Sequence, residues 1–202
     1  SLTVNDEKGF YHCFSSSEHG NIFDFLIKTQ NLNFGEAVKL LASEAGMPKY
    51  NFSKLDEERE KKWKIYSEIL DEYKLLYNDQ LKSKASIDLK NYILKRGITP
   101  KEVNDFKIGY VPYNPTFFYY SLKNYSEKDL LSSGLFYFDE RNKKYVERFR
   151  DRLIFPINAL NGSTIAFGGR TISNKNTFAK YINSPETIFF KKGNNLFNLD
   201  IA

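Results

Sequence analysis

Between Leu55 and Leu81, the apolar residues Trp63, Tyr66, Ile69, Leu70, Tyr73, Leu76 and Tyr77 recur at three and four residues, the stripe of a long helix. Glu57, Glu58, Arg59, Lys61, Lys62 and Lys64 occupy the other side. That distribution favours a helix packed on its own domain over a helix that docks on a partner. From Gly134 the period changes to two. Leu135 to Phe138 and Tyr145 to Phe149 fit one hairpin, across Asp139 to Lys144. Leu153 to Ile157 and Thr164 to Phe167 fit a second, closed around Asn161-Gly162. The chain therefore combines helical and extended segments, an α+β expectation.

Shorter elements flank these. Leu2 to Val4 and Phe10 to Phe14 read as two strands joined by a polar turn. Asn21 and Asn33 are placed to cap two helices, the second ended by Gly46. Leu89 to Lys95 reads as a helix ended at Arg96-Gly97, and Thr99 caps another with Pro100 at its first position. Phe106 to Val111 turns extended. Two more short helices fit Pro115 to Lys123 and Ser126 to Ser132. No internal repeat or low-complexity tract interrupts this order.

A chain of 202 residues with 41% hydrophobic and 16% aromatic content has enough apolar surface for an aromatic-rich core. No apolar run approaches the ~18 residues of a membrane span. No signal peptide is visible at Ser1, although a start without Met looks cut. A single cysteine excludes an internal disulfide and suits a reducing cytoplasm.

Charge is concentrated in one region. From Arg141 to Lys192 there are eleven Lys or Arg against three acids, Glu147, Asp151 and Glu186. The whole chain carries only +5, so the remainder is net acidic. Concentrated positive charge over β structure suits a polyanion, and a solvated surface is the alternative. Arg148, Arg150 and Arg152 alternate, which on one strand would place them on one face. Local acids pair them incompletely, and the guanidinium fork suits phosphate oxygens. Gly168-Gly169-Arg170 is weak alone, since two glycines often mark only a bulge or turn. Gly97 reads as a helix terminator, and for Arg96 beside it contact with nucleic acid is an option that is not favoured.

Cys13 with His12 and His19 raises the question of zinc. A structural zinc site requires four soft or nitrogen ligands. The histidines do not complete such a set at an ordinary spacing, so an unmetallated buried thiol beside a surface histidine is expected.

The motifs RFRDRLIFPI, IAFGGR, KYINSPET, FKKG and NLDIA, in that order, closely resemble the RNA polymerase domain of bacterial DNA primase (DnaG type). Upstream, YILKRGITPKEVNDFKIGYVP resembles the same domain. SLTVNDEKGFYHCF and HGNIFDFLI resemble the second half of the family's zinc-binding domain. The match is weakest from Asn51 to Ile87.

The resemblance implies three segments. Residues 1–47 would be the back half of a degenerate zinc ribbon with two helices. Residues 48–87 would be a linker with the long helix. Residues 88–202 would be a mixed α/β basic subdomain that precedes a Toprim fold. In the family's CFGCG context Cys13 matches the third zinc ligand, whereas Ser16 stands where the fourth would be, which makes Zn2+ doubtful here. The resemblance also assigns template and nucleotide contacts to Arg148, Arg150, Arg152, Arg170, Lys180, Asn183 and Lys192. It implies cytoplasmic primer synthesis on single-stranded DNA from ribonucleoside triphosphates, with Mg2+, a replicative helicase as partner and no membrane. The metal carboxylates of that chemistry lie in the Toprim fold. Asp200 alone cannot hold two metals, so catalysis is expected outside this chain. A non-catalytic single-strand-binding module and a protein-interaction adaptor are the alternatives.

Overall fold

The computed structural model describes residues 2–48, 53–84, 87–172 and 179–195. Asp200 and the NLDIA motif fall outside the described residues. The chain divides into two compact units. One is Ser1–Lys64 with Ala159–Ser163, and the other is Ile65–Asn158 with Thr164–Ala202.

In the first unit, β1 (Leu2–Asn5), β2 (Phe10–Cys13) and β3 (His19–Asn21) form an antiparallel sheet in the order β1-β2-β3. The third strand was not legible because three residues carry too little pattern. Helix α1 (Ile22–Gln30) starts at Asn21, whose side chain accepts from the Phe23 and Asp24 amides while Asp24 accepts from the Asn21 amide. Helix α2 (Phe34–Glu44) starts in the same way, with Asn33 and Glu36. Both are capping boxes, which satisfy otherwise orphaned amides of the first turn. The Tyr11 ring meets Phe25 edge-on at 5.3 Å, and Phe23 meets Phe34 at 5.5 Å.

Helix α3 (Lys54–Lys84) is the long helix of the stripe. In the second unit its Tyr66, Ile69, Leu70, Tyr73, Tyr77 and Leu81 are buried, so this part is a packed helix. Two of its polar side chains bond backbone carbonyls, whereas the buried Tyr77 hydroxyl has no hydrogen-bond partner. Tyr66 Oη donates to the Ile165 carbonyl at 2.7 Å, and Asn78 Nδ2 donates to the Val103 and Ile108 carbonyls at 3.0 and 2.8 Å. These bonds satisfy polar groups that would otherwise be costly to bury.

Helix α4 (Ile87–Lys95), helix α5 (Pro100–Asp105) and strand β4 (Gly109–Val111) follow. Thr99 caps α5 with Glu102 completing the box. Gly109 is required by close approach, because a Cβ there would lie 2.5 Å from Tyr77 Cβ on α3. Short helices α6 (Phe117–Ser121) and α7 (Glu127–Ser132) lead into the hairpin β5 (Phe136–Asp139) and β6 (Lys144–Glu147).

The main sheet contains β7 (Arg152–Asn158), β8 (Thr164–Thr171) and β9 (Tyr181–Asn183), in the antiparallel order β4-β7-β8-β9. Period two divides its residues between two faces. Leu153 lies on one face and packs with Leu89 and Ile93 of α4, Leu81, Val103 and Ile108. On the other, Phe167 belongs to a network of rings, 5.7 Å from Tyr77 and 6.3 Å from Phe149. Tyr73 meets Phe136 at 5.3 Å, and Phe118 stacks on Tyr145 at 4.2 Å. Offset and edge-on pairs of this kind add to simple area burial.

Candidate nucleic-acid interface

The three alternating arginines do not share a strand face. Strand β6 ends at Glu147, and residues 148–151 form a turn before β7 starts at Arg152. Asp151 completes that turn in the left-handed region, with φ +55°. The turn breaks the period of two, so each arginine has its own environment.

Arg148 is half-buried. Its Nε donates to the Gly134 carbonyl at 2.9 Å, and its guanidinium lies over the Tyr137 ring, 5.5 Å from the centroid. Burial lowers its pKa from the ordinary arginine value, yet a guanidinium stays charged. Arg150 reaches the Tyr137 hydroxyl at 3.5 Å, a weak contact. Arg152 is only 4% exposed, and its Nη1 approaches the Lys180 carbonyl at 3.5 Å. Its buried stem braces the sheet, so an exposed phosphate contact on a common face with Arg148 and Arg150 is not what this residue provides. The Gly-Gly pair has a similar structural explanation. A Cβ on Gly169 would lie 2.6 Å from the Phe149 ring and 3.1 Å from Arg152 Cδ. Its missing side chain makes room for the core.

Glu147 lies beside this turn, 5% exposed. Its carboxylate accepts from the Phe118 amide at 3.2 Å and so serves the start of α6, where Thr116 provides no side-chain cap. Burial raises its pKa, against the amide hydrogen bonds and the nearby Arg150 charge.

The remaining predicted residues are gathered around β8 and β9. Arg148, Tyr181, Ile182, Asn183 and Lys192 line a cleft of about 400 Å3. Lys192 opens a 3-10 turn, Lys192–Asn194, and both Lys180 and Lys192 are exposed. The Asn183-Ser184-Pro185-Glu186 segment begins as strand and then becomes loop. Ser184 is fully buried: its amide donates to the Phe167 carbonyl at 2.8 Å, and its Oγ accepts from the Phe167 amide at 3.0 Å. These two bonds fix the adjacent Asn183 at the cleft. Thr187 closes the next turn by accepting from the Phe189 and Phe190 amides.

Tyrosines complete the arrangement, and none was singled out from sequence. Arg170 is directly opposite Tyr181 in the β8–β9 register, and its guanidinium lies 5.2 Å from that ring's centroid. The same guanidinium lies 5.8 Å from the Tyr92 ring of α4. The guanidinium of Arg96, four residues after Tyr92, also lies over that ring, 5.3 Å from its centroid. Lys180 Nζ lies 5.9 Å from Tyr181. Cation–ring attraction holds each of these positions. The sequence signals were the four-residue helical spacing of Tyr92 and Arg96 and the strand pairing of Arg170 with Tyr181.

Local geometry in the first unit bears on the zinc question. Cys13 Sγ lies 3.2 Å from Ser15 Oγ. Hydrogen bonds with Ser15 and Ser16 lower the thiol to about 6. His19 Nδ1 is engaged by the Ser17 carbonyl at 3.1 Å, and His12 stacks on His19 at 6.0 Å. Among the described residues, no group of three or more His, Cys, Asp or Glu is arranged to hold a metal ion. The residues present do not fit a four-ligand zinc centre.

This basic, aromatic-lined sheet with its preceding helices has a clear counterpart among known proteins. The family model for the DNA primase catalytic core, N-terminal domain, matches residues 76–202. The CHC2 zinc finger model matches residues 1–58. The chain belongs to the DNA primase catalytic core family. It is 37% identical to a DNA primase of Clostridium acetobutylicum, over all of this chain and 33% of that protein. It is 33% identical to the DNA primase of Escherichia coli K12, over 98% of this chain and 34% of that protein. The chain thus spans about a third of the length of these relatives.

Solved structures agree on the mixed α/β fold. The Aquifex aeolicus primase, with zinc-binding and RNA polymerase domains, matches at TM-score 0.61 and 28% identity, covering 99% of this chain and 47% of that one. A DnaG primase catalytic domain bound to single-stranded DNA matches at TM-score 0.61 and 28% identity, covering 69% of this chain and 43% of that one. Among the described residues, no helix is long and apolar enough to cross a membrane.

Proposed function

We propose that this chain is the part of a DNA primase that holds single-stranded template and incoming nucleotide during primer synthesis. The observation that carries the reading is the set of cations around β9. Arg170, Lys180 and Lys192 have no carboxylate partner among the described residues, and they surround the exposed ring of Tyr181 and the amide of Asn183. Unneutralised cations with an aromatic face suit a single strand, whose phosphates need charge and whose bases stack. A primase structure with single-stranded DNA bound shares this fold.

In this reading the side chains act by position and charge, not as acid or base. Lys192 and Arg148 bring positive charge to the cleft wall, and Asn183 supplies a neutral donor and acceptor there. Magnesium, when bound, supplies charge neutralisation at the transferring phosphoryl group. The described residues offer no carboxylate cluster for it, so the reading assigns that centre to a Toprim fold elsewhere in the protein. The first unit is read as a zinc-ribbon remnant that retains the strands without a full ligand set. Ribonucleoside triphosphates as substrates, a replicative helicase as partner and cytoplasmic residence accompany the reading through the family.

The test is a salt titration of binding to a fluorescent single-stranded oligonucleotide, followed by anisotropy. Each phosphate neutralised on a single strand contributes a slope of about −0.7 to log K against log salt. Replacing Arg170, Lys180 and Lys192 together with Ala is expected to flatten the slope by about 2 units. Circular dichroism checks that the variant is folded. An unchanged slope in a folded variant means that the strand runs elsewhere.

A further inference from the structure

A column of alternating cations and rings runs from α4 across the edge of the main sheet: Arg96, Tyr92, Arg170, Tyr181, Lys180. The successive distances to ring centroids are 5.3, 5.8, 5.2 and 5.9 Å. Two features make it more than ordinary surface packing. Its cations have no carboxylate partner among the described residues. Arg170 Nε, moreover, is buried with no hydrogen-bond partner.

Unscreened guanidiniums repel one another at short range, more strongly as water is excluded. Arg96 and Arg170 both lie over the Tyr92 ring, and neither is paired with a carboxylate among the described residues. Tyr92 is the group they share. Its ring attracts both guanidiniums through its electron-rich π system. The ring is itself fixed: Tyr92 packs against the cluster of Leu89, Ile93 and Leu153, which joins α4 to the sheet.

We infer that Tyr92 is a positioning residue of the single-strand interface, a spacer whose ring orders the Arg96 and Arg170 guanidiniums for anionic groups of one strand. The inference rests on the proposed nucleic-acid reading and deepens it, because it gives Tyr92 of α4 a part in ordering the binding surface. Tyr92 acts through the two arginines and makes no contact with the strand itself. Pre-ordering both guanidiniums lowers the ordering cost that each would meet on binding. Tyr181, 60% exposed, keeps a ring surface open for a base.

The experiment compares single-strand binding and its salt slope in the whole chain and five variants: Tyr92→Phe, Tyr92→Leu, Arg170→Ala, Arg96→Ala/Arg170→Ala, and the last combined with Tyr92→Leu. Tyr92→Phe keeps the ring and is expected to bind like the parent. Tyr92→Leu keeps apolar packing but loses both cation contacts, and is expected to bind about fivefold more weakly. Its slope should flatten by about 0.7, the equivalent of one phosphate. In the background lacking both arginines, Tyr92→Leu is expected to have no further effect. Full-strength binding by Tyr92→Leu, or an equal loss with and without the arginines, overturns the spacer role. Tyr92→Phe binding as poorly as Tyr92→Leu also overturns it, since the hydroxyl would then be the active part. Unchanged binding by Arg170→Ala overturns the interface reading itself, and the spacer role with it. Loss in Arg170→Ala with no loss in Tyr92→Leu rejects the spacer alone.

Discussion

The two units of this chain are built on different terms. In the second, Tyr73, Tyr77, Phe118, Phe136, Phe149 and Phe167 are all less than 2% exposed and touch one another as rings. In the first, the fully described hydrophobic residues that reach burial are Tyr11 and Ala37. Phe14 is 69% exposed, Val4 61% and Leu2 52%, so the ribbon strands gain little from apolar burial. Domains this small usually need a metal or a cross-link to compensate. Among the described residues Cys13 has no set of metal ligands around it, and the local devices there are two capping boxes and the Glu18–Lys28 ion pair. The comparison teaches that one chain can rely on ring packing in one unit and on helix caps and an ion pair in another.

The largest expected effect tests the deep core. Phe167→Ala removes a fully buried ring between Tyr77 and Phe149, and should cost about 3–5 kcal/mol in denaturant unfolding. Phe14→Ser in the ribbon should cost no more than about 0.5 kcal/mol, as expected for an exposed position. Equal losses at the two sites would erase the contrast between the units.

A smaller effect comes from the buried carboxyl of Glu147. Burial holds its folded pKa above the ordinary carboxylate value. A group raised in this way favours the fold while protonated, and that contribution is lost as pH rises through the folded pKa. Glu147→Gln keeps an oxygen for the Phe118 amide and removes the ionisation. Its melting temperature at pH 7 should exceed that of the parent by no more than a few degrees, and the gap should close on acidification towards the range where Glu147 is protonated. A gap that widens at acid pH would mean that the ionised form is the stabilising one.

What could be read from the sequence followed strong local signals. The stripe from Trp63 to Tyr77, the Asn and Thr caps and the Asn161-Gly162 turn each specify backbone geometry through a few adjacent residues. The short strands at His19 and Tyr181 did not, because their pairing is set by partners far along the chain. The arginine triplet shows the same limit from the functional side. Its spacing predicts one strand face, but Asp151 takes a left-handed conformation and turns the chain, and Arg152 becomes buried. Lys180, Asn183 and Lys192 were legible as motif residues through the family. Tyr92 and Tyr137 became visible only when the fold placed a guanidinium against each ring.

The smallest expected effect is the most direct test of the contrast between the units. If zinc supported the ribbon, removing it would loosen β1, β2 and β3, because metal binding and folding are coupled in such modules. The described residues supply Cys13, a serine at position 16 and two stacked histidines, one of them engaged by a backbone carbonyl. A neutral hydroxyl is a poor zinc ligand, and this set leaves the tetrahedral shell incomplete. Chelator treatment of the purified chain should therefore leave amide hydrogen exchange of residues 10–13 unchanged, and elemental analysis should find no stoichiometric zinc. One tightly held zinc per chain, lost in Cys13→Ala and accompanied by faster exchange in β2, would restore the ribbon to the class of metal-supported domains. The local caps would then be secondary supports, and the two units would differ in the kind of core they have rather than in whether they have one.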